Sequence, residues 1–401
     1  MCAVRIFFNN TFQPRHAMRR TVSLLAALLA ITPMLAQEWL PRLAPNLIDT
    51  TQHADVGLQR TVGVETFTVF APSDDTDHYA NGVVMTAYND CLYCMWQSSP
   101  RDEDSDDTRV AYSISRDNGK TWSKPQPLVV SSATHYFTSG GWSVSGDTLT
   151  AFVNAWKKGL QPRGGTTLFL TSTDGKKWST PQPVTMADGS AMIGVLEQDP
   201  RVSADGIMVG AVHFQPGLHL CATFTHDTTG RSGWQRAAME GEDNGNQSRH
   251  IEPSQYLRSD GSIVMLFRDQ RNTFCKLASI STDKGQTWTA PQQTTIPDAR
   301  TKQCAGNLSD GRAFMIACPA PAKRRWPLVL FLSHDGIVFS SATLLRSGDD
   351  TDLPARHYNG RYKTLGYSYP KAIVANGFLF TGYSVNKETV EVSRVPLTCL
   401  P

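Results

Sequence analysis

The chain has 401 residues, of which 40% are hydrophobic and 18% charged, and its formal net charge is +2. This is an ordinary globular composition with enough apolar residues to form a core. Because the net charge is so small, composition gives no support for a nucleic acid or an anionic membrane surface as a partner.

The N-terminal segment predicts export. Two arginines precede an apolar run over residues 22–31, which is too short to span a bilayer, and a small residue follows. We therefore predict a cleaved signal peptide over residues 1–36, with Met18 as an alternative start. The mature chain, residues 37–401, is expected to be secreted or periplasmic, with no membrane span.

The first strand-like cysteine pair, Cys91 and Cys94, has the spacing of a zinc or redox motif. Residues three apart on a strand point to opposite faces, so two such thiols cannot share a ligand. We predict that both pack in the core.

A carboxylate-rich loop follows over residues 101–107. Its aspartates alternate as in a calcium-binding loop, but Asp107 stands where such a loop needs glycine and Ser113 where it needs glutamate. A solvated loop is one reading, and a loop that brings one carboxylate into a pocket as general acid is the other.

The motif Ser-x-Asp-x-Gly-x-Thr-Trp occurs at residues 115–122 and again at 281–288. Its Asp can bond the backbone ahead of it and its Gly can adopt a positive φ, so each copy predicts the turn of a β-hairpin. The Trp then needs a place for its apolar face and a partner for its N–H. Shortened copies contain Asp174, Asp227 and Asp335.

The motif aspartates are 57, 53, 56 and 52 residues apart. Repeats of that length built from short strands are typical of four-stranded propeller blades. We predict an all-β fold with a single β-propeller over residues 37–401. The repeat length favours seven blades, with six as the alternative. In this count residues 346–401 hold one blade, and residues 37–75 belong to another that the C-terminal strand completes.

A second register marks the inner ends of the blades. Several blades have a two-residue turn after their first strand, and a polar residue stands eight positions before each turn. Equivalent positions of a propeller lie at equivalent places around its axis, so these side chains should converge at the channel mouth. The alternative is a chance occurrence of polar residues at blade starts. The residues are Asn81, Glu197, Glu252, Lys302 and Ser368.

Glu252 begins an inner strand and Arg268 ends the next one, so a hairpin should make them neighbours. A carboxylate beside a guanidinium stays ionised and orients the guanidinium, which can then bind an acidic ligand. The alternative is an ion pair between the two strands that binds no ligand. Farther on, Tyr367 precedes another inner strand. A tyrosine at a channel mouth can stack on a sugar or supply a phenol for chemistry, but most such residues only pack.

The chain contains no GxGxxG, P-loop, HExxH or GxSxG motif. No motif therefore supports a nucleotide-binding or cofactor-dependent protein or a serine hydrolase. We predict neither a cofactor nor a metal.

The repeated motif resembles the sialidase (neuraminidase) superfamily over about residues 75–397. The resemblance implies that Glu252 and Arg268 match a glutamate at a blade start and an arginine sixteen residues later. It also implies that Tyr367, in a Gly-Tyr-Ser sequence before the last inner strand, is the nucleophile and that Glu252 activates it.

The same resemblance implies two further roles. Arg325, or its neighbour Arg324, corresponds to an arginine that holds the substrate carboxylate. Asp104, or Asp102, corresponds to the acid aspartate in the loop before the first motif. Sialidases carry another arginine at the first inner strand, where this chain has no arginine around Asn81.

The layout also resembles gut-bacterial propellers that remove α-L-rhamnose from glucuronic acid on plant arabinogalactan, which form glycoside hydrolase family 145. The stretches that carry this resemblance include residues 79–82, 94–96 and 386–388. Active members have a histidine near the position of Asn81, on the face opposite the sialidase pocket.

We therefore predict a monomeric, exo-acting glycosidase that removes a terminal acidic sugar, or a sugar linked to a uronic acid, from a sialoglycan or an arabinogalactan. Two alternatives stay open: a polysaccharide lyase on uronic-acid glycans, and a glycan-binding propeller without catalysis. The predicted catalytic residues are Tyr367, Glu252 and Asp104. The predicted substrate-binding residues are Arg268, Arg325, Asn81, Glu197 and His250.

Overall fold

Six antiparallel sheets, within the residues that this computed structural model describes (38–203 and 205–401), form the blades of a β-propeller. Residues Pro41–Pro401 make up one compact unit. The all-β propeller prediction is confirmed, and of the two predicted counts the structure has the lower, six. The predicted signal peptide over residues 1–36 lies outside the described residues.

The strands are, in chain order, β1 (Arg42–Leu43), β2 (Glu65–Phe70), β3 (Tyr79–Tyr88), β4 (Cys91–Ser99), β5 (Arg109–Ser115), β6 (Gln126–Val129), β7 (His135–Ser145), β8 (Thr148–Lys157), β9 (Gly165–Ser172), β10 (Gln182–Pro183), β11 (Gly194–Leu196), β12 (Arg201–Val202), β13 (Met208–Phe214), β14 (His219–Thr225), β15 (Gln235–Arg236), β16 (Ala238–Met239), β17 (His250–Leu257), β18 (Ile263–Asp269), β19 (Cys275–Ser281), β20 (Thr287–Trp288), β21 (Gln292–Pro297), β22 (Cys304–Asn307), β23 (Ala313–Ala317), β24 (Leu328–Ser333), β25 (Val338–Phe339), β26 (Ser341–Arg346), β27 (Tyr367–Ala375), β28 (Phe378–Val385) and β29 (Thr389–Pro396). A short 3-10 helix follows at Leu397–Cys399.

Each blade is a run of antiparallel neighbours from the inner strand outward. In blade 3 the inner strand is divided into β11 and β12, which both pair with β13. Two short parallel pairs, β1 with β25 and β16 with β20, lie outside the blades. The blades are, in chain order, β3–β6, β7–β10, β11–β15, β17–β19 with β21, β22–β24 with β26, and β27–β29 with β2.

The ring closes through strands from both ends of the chain. In blade 6, β2 pairs antiparallel with β29, so that Glu65 lies opposite Arg394. The segment before residue 75 and the C-terminal segment therefore complete the same blade. Counting them as parts of two blades is what made seven the favoured number.

The repeated motif forms the predicted turn in both full copies. Ser115 Oγ donates to Asp117 Oδ1 at 2.9 Å and accepts from the N–H of Gly119, which has a φ of 80°. The Nε1–H of Trp122 donates to the carbonyl of Gly119 at 3.0 Å. The second copy repeats these contacts from Ser281 to Trp288. The motif therefore satisfies its own polar groups locally and leaves the indole to pack.

The core consists of layers between neighbouring blades, because the central strands are buried on both faces. Strand β4 shows this arrangement: Cys91 packs with residues of blades 1 and 2, whereas Cys94 packs with residues of blades 6 and 1. The prediction that these thiols face opposite sides is confirmed. Over the described part of the chain, no helical segment has the length and apolar character needed to cross a bilayer.

Candidate active site

The inner strands β3, β17 and β27 each contain a β-bulge near the start of the strand. In each bulge one residue adopts the left-handed conformation: Gly82 (φ 62°), Glu252 (φ 54°) and Tyr369 (φ 57°). Such a conformation costs a residue with a side chain on the order of 1–3 kcal/mol, and strained residues of this kind cluster at active sites. The bulges therefore single out Glu252 and Tyr369.

Glu252 and Tyr369 are in direct contact. The hydroxyl of Tyr369 donates to Oε1 of Glu252 at 2.5 Å. Nη1 of Arg268 lies 3.1 and 3.2 Å from the two oxygens of the same carboxylate. The predicted contact between Glu252 and Arg268 is confirmed, and the phenol of Tyr369 joins it.

Charge around this carboxylate keeps it ionised. Burial raises the pKa of Glu252, but the charges of Arg268 and Lys302 and the Tyr369 hydrogen bond outweigh burial, and the net pKa lies below the ordinary value. Burial and the Glu252 charge both raise the pKa of Tyr369 well above 10. At neutral pH the site thus holds a carboxylate and a protonated phenol that share a hydrogen bond.

Two further cations face the Tyr369 ring. Nζ of Lys302 lies 5.3 Å from the ring centroid, and the guanidinium carbon of Arg325 lies 5.6 Å from it. Arg325 is oriented by a 2.7 Å bond from Nη1 to Oγ of Ser368. Together with Arg268, three cations surround one carboxylate, an excess of positive charge that suits an anionic ligand.

Glu197 and His213 complete the wall of this region. Lys302 Nζ donates to the carbonyl of Glu197, and among the described residues Oε2 of Glu197 is buried with no hydrogen-bond partner. The backbone N–H of Glu252 donates to Nε2 of His213 at 3.4 Å. Burial lowers the pKa of His213, which keeps the ring neutral and able to accept this bond. We call the following residues the hub cluster: Glu197, Glu252, Arg268, Lys302, Arg325 and Tyr369.

Asp104 lies in the carboxylate-rich loop and forms an ion pair with Arg163. Burial raises the pKa of Asp104 despite the charge of Arg163. The preceding residue, Glu103, pairs with Lys387, and its charge contributes to the raised pKa of both Asp104 and Tyr369. A carboxyl with a raised pKa suits a general acid.

The assignment of the phenol to Tyr367 is corrected. Its side chain is fully buried, and its hydroxyl donates to the carbonyl of Ser347 at 2.7 Å, away from Glu252. Residues two apart normally share one face of a strand, but the bulge between Ser368 and Lys371 separates the directions of Tyr367 and Tyr369. Tyr369, and not Tyr367, therefore contacts Glu252.

The assignments of His250 and Asn81 to substrate binding are corrected as well, because both side chains are buried. His250 lies two residues before the bulge at Glu252, is 3% exposed, and packs edge-on against Phe267 at 5.3 Å. Asn81 is fully buried, and its Oδ1 accepts from Oγ of Ser384 in the neighbouring blade at 2.9 Å. Neither side chain is available to a ligand.

Four of the remaining predicted residues, Glu252, Arg268, Arg325 and Glu197, are in the hub cluster. Asp104 is linked to it by the charge of Glu103, which acts on both Asp104 and Tyr369. The roles assigned to these five residues stay predictions.

Sequence reasoning missed Tyr369 and Arg163 as site residues. For Tyr369 a signal was present: Gly82 and Tyr369 both lie seven positions before the asparagine of the following two-residue turn, Asn89 and Asn376. The prediction used the residue eight positions before each turn, which selected Ser368 instead of Tyr369. Arg163 has no such signal, because it reaches Asp104 from a loop in another blade.

The model of the BNR repeat-like domain family matches residues 90–381, which is more than half of the chain. No curated protein has a matching sequence. Among solved structures, a sialidase is 18% identical over 89% of this chain with a TM-score of 0.64, and this chain spans only 35% of its length.

Two other solved structures have similar scores. The Hadza microbial sialidase Hz136 has a TM-score of 0.66 and 15% identity, with 84% of this chain and 69% of that one covered. A protein of unknown function from Dyadobacter fermentans has a TM-score of 0.62 and 16% identity, with 83% and 99% covered. At these identities the likeness shows a shared fold.

Proposed function

The chain belongs to the BNR repeat-like domain family and has the fold of the sialidases, and from this premise we propose that it is an exo-acting glycoside hydrolase. Its substrate would be a glycan that ends in an acidic sugar or in a sugar linked to a uronic acid. The observation that carries the proposal is the 2.5 Å contact between the Tyr369 hydroxyl and Glu252, surrounded by three cations.

The cations provide for substrate binding. Arg268, Lys302 and Arg325 would hold a sugar carboxylate, because guanidinium and ammonium groups form charge-assisted hydrogen bonds with carboxylates. Arg268 is 17% exposed at its side chain, and Arg325 and Tyr369 are half-buried, so the cluster has an exposed side. An ionised carboxylate in a charge-assisted bond contributes about 1.5–3 kcal/mol, enough to set specificity.

The phenol and Glu252 provide for bond cleavage. As the Tyr369 oxygen bonds to the anomeric carbon, its proton passes to Glu252, and the bond to the leaving oxygen breaks while Asp104 protonates that oxygen. Water then attacks the same carbon, gives a proton to Asp104 and releases the sugar, and the phenolate takes its proton back from Glu252. Two displacements at one carbon retain its configuration.

Substrate binding would itself prepare this step. In the free protein the cations lower the pKa of Glu252, which makes it a weak base. A bound sugar carboxylate offsets those cations, so the basicity of Glu252 rises when substrate is present. The proton transfer from Tyr369 is then favoured in the complex rather than in the empty site.

One observation favours the second candidate, a glycan-binding propeller without catalysis. The bulge of blade 1 has Gly82 where the other two bulges have Glu252 and Tyr369, so that blade contributes no side chain at the equivalent position. A ligand would therefore be contacted by two such side chains instead of three.

The test is a product screen over sialylated glycans and arabinogalactan with the wild type, Tyr369→Phe and, as matched control, Tyr367→Phe. The proposal expects sugar release by the wild type and the control and a loss of roughly a hundredfold or more in kcat for Tyr369→Phe. Release at an undiminished rate by Tyr369→Phe would remove the phenol from the reaction. Affinity without release indicates the binding propeller, and absorbance near 235 nm on uronic-acid glycans indicates a lyase.

The finer resemblance to glycoside hydrolase family 145 stays a hypothesis, and so do export and the monomeric state. Asn81 is buried against Ser384, so a histidine at this position would need a local rearrangement to meet a ligand. Rhamnose release after Asn81→His, but not before, would support that resemblance.

A further inference from the structure

Gln303 lies directly before β22, is fully buried, and reaches the bulge that contains Glu252. Its Nε2 lies 3.0 Å from the carbonyl oxygen of Glu252, 3.1 Å from Oγ of Ser254 and 3.0 Å from the carbonyl oxygen of Leu266. These three acceptors belong to the two strands of the bulge, β17 and β18. A side chain at the start of blade 5 therefore binds the bulge of blade 4.

The bulge needs a hydrogen-bond donor from outside its two strands. Glu252 and Pro253 are the two residues of β17 that stand opposite a single residue of β18, Phe267. Pro253 has no N–H, so it cannot donate to a carbonyl of the neighbouring strand. The amide of Gln303 supplies N–H groups at this place, to the carbonyls of Glu252 and Leu266. Because buried carbonyls are almost always hydrogen-bonded, this amide helps to stabilise the bulge.

A buried ion pair determines the orientation of this amide. Nζ of Lys276 donates to Oε1 of Gln303 at 2.9 Å and to the carbonyl of Thr301 at 2.9 Å. The same ammonium group lies 2.7 Å from Oδ1 of Asp298. An ammonium group can only donate, so the amide oxygen must face Lys276 and the amide nitrogen must face the bulge. The ion pair therefore fixes Gln303 in the orientation that binds Glu252.

The backbone of Glu252 is bound from both sides of blade 4. Its N–H donates to Nε2 of His213 in blade 3 at 3.4 Å, and its carbonyl accepts from Gln303. In an antiparallel sheet such groups normally bond to the neighbouring strand. The left-handed φ of 54° is unfavourable for a residue with a side chain. The contacts with His213 and Gln303 therefore hold Glu252 in a conformation that it would otherwise rarely adopt.

The backbone conformation of Glu252 decides where its carboxylate lies. Successive side chains of an extended strand alternate between the two faces, and a bulge breaks that alternation. In the left-handed conformation the carboxylate accepts from the Tyr369 hydroxyl at 2.5 Å and lies 3.1 Å from Nη1 of Arg268. Gln303 bonds to the carbonyl of Glu252, so it acts on the carboxylate through the backbone.

We propose that Gln303 is a positioning residue for the proton transfer from Tyr369 to Glu252, because its amide holds Glu252 in the left-handed conformation. This inference rests on the proposed function for the role of the contact between Tyr369 and Glu252. It adds that a residue outside the hub cluster controls the rate of bond cleavage and not the binding of substrate. The cations that would hold the sugar carboxylate are oriented by other contacts, such as that of Arg325 with Ser368.

The test compares Gln303→Leu with Gln255→Leu. Gln255 is a buried glutamine on β17 beyond the bulge, and its Nε2 donates to the carbonyl of Val209 in blade 3 at 2.8 Å. Each variant removes one buried amide that joins blade 4 to a neighbour, so both should lose stability in urea unfolding. In steady-state kinetics, kcat should fall by about tenfold or more in Gln303→Leu while KM changes by less than about threefold. Gln255→Leu should keep the wild-type kcat.

An unchanged kcat in Gln303→Leu would overturn the inference, and so would an equal fall of kcat in both variants or a change in KM alone. If Gln303→Leu does not fold, Gln303→Glu takes its place. A glutamate keeps the shape of the side chain and the contact with Lys276, but it has no N–H to donate to the bulge.

If the wild type releases no sugar, the proposed function fails and crystal structures decide the inference separately. In the Gln303 variant, the Tyr369 hydroxyl and Oε1 of Glu252 should be more than about 3.5 Å apart, which is beyond hydrogen-bond distance. In Gln255→Leu the two atoms should stay in contact, as in the wild type. A contact retained in the Gln303 variant would refute the inference.

Discussion

The hydroxyl of Tyr369 donates to Oε1 of Glu252 at 2.5 Å, although the two residues are 117 positions apart in the chain. Both are left-handed residues in bulges of inner strands, in blades 6 and 4. The propeller brings the blades to one axis, and the bulges turn these two side chains toward each other.

Glu252→Gln should abolish most of the activity while the protein stays folded. The amide keeps the shape of the carboxylate but cannot take the phenol proton, so kcat should fall by roughly a hundredfold to ten-thousandfold. Glu242→Gln is the control, since Glu242 is 52% exposed and pairs with surface arginines. Steady-state kinetics with circular dichroism decide the matter, and full activity of Glu252→Gln would contradict the proposed proton transfer.

Arg325→Met should weaken binding of acidic substrates. The variant removes a cation that faces Tyr369, so KM should rise by about tenfold for a substrate with a free carboxylate and change little for its methyl ester. Arg324→Met is the neighbouring control, because Arg324 lies over Trp326 instead. The same rise in KM for acid and ester would show that Arg325 does not act through charge.

His250 should make the fold sensitive to mild acid. Burial, with a smaller contribution from His213, lowers the pKa of His250 to about 4, whereas in the unfolded chain it is about 6.5. The neutral ring therefore supports the fold fully above pH 6.5, and this stability is lost as pH falls toward 4. The total loss is about 3 kcal/mol.

Urea unfolding at several pH values measures this loss. Between pH 6.5 and 4, the free energy of unfolding of His250→Phe should decrease less than that of the wild type, by about 3 kcal/mol. Replacement of the exposed His53 by Ala is the control for the loss of a surface histidine. Parallel curves for His250→Phe and wild type would show that this histidine is not linked to folding.

Lys276→Met should destabilise the protein strongly. Lys276 and Asp298 form a 2.7 Å ion pair with side chains 0% and 1% exposed, so removing the cation leaves a buried carboxylate without a partner. We expect a loss of about 3–5 kcal/mol in urea unfolding. Adding Asp298→Asn to Lys276→Met should restore part of that loss, since the uncompensated charge is removed. A double variant as unstable as the single one would mean that the charge is not the cause.

The sequence alone determined that the chain forms propeller blades, because the repeated motif folds through local contacts. In the turn at residues 115–122, the hydrogen bonds of Ser115, Asp117 and Gly119 are made within the motif, so the same motif forms the same turn wherever it recurs. The pairing of Glu252 with Arg268 could be predicted for a similar reason. One hairpin separates them, and a hairpin returns the chain to its starting point.

Only the tertiary structure decided how many blades the ring has and which tyrosine meets Glu252. The count of six depends on β2 joining the blade of β27–β29, a pairing between the two ends of the chain that no local pattern encodes. The choice of Tyr369 over Tyr367 depends on a bulge, because one extra residue in a strand redirects every side chain after it. Strand alternation is a local rule, whereas a bulge is fixed by the neighbouring strand and by packing around the axis.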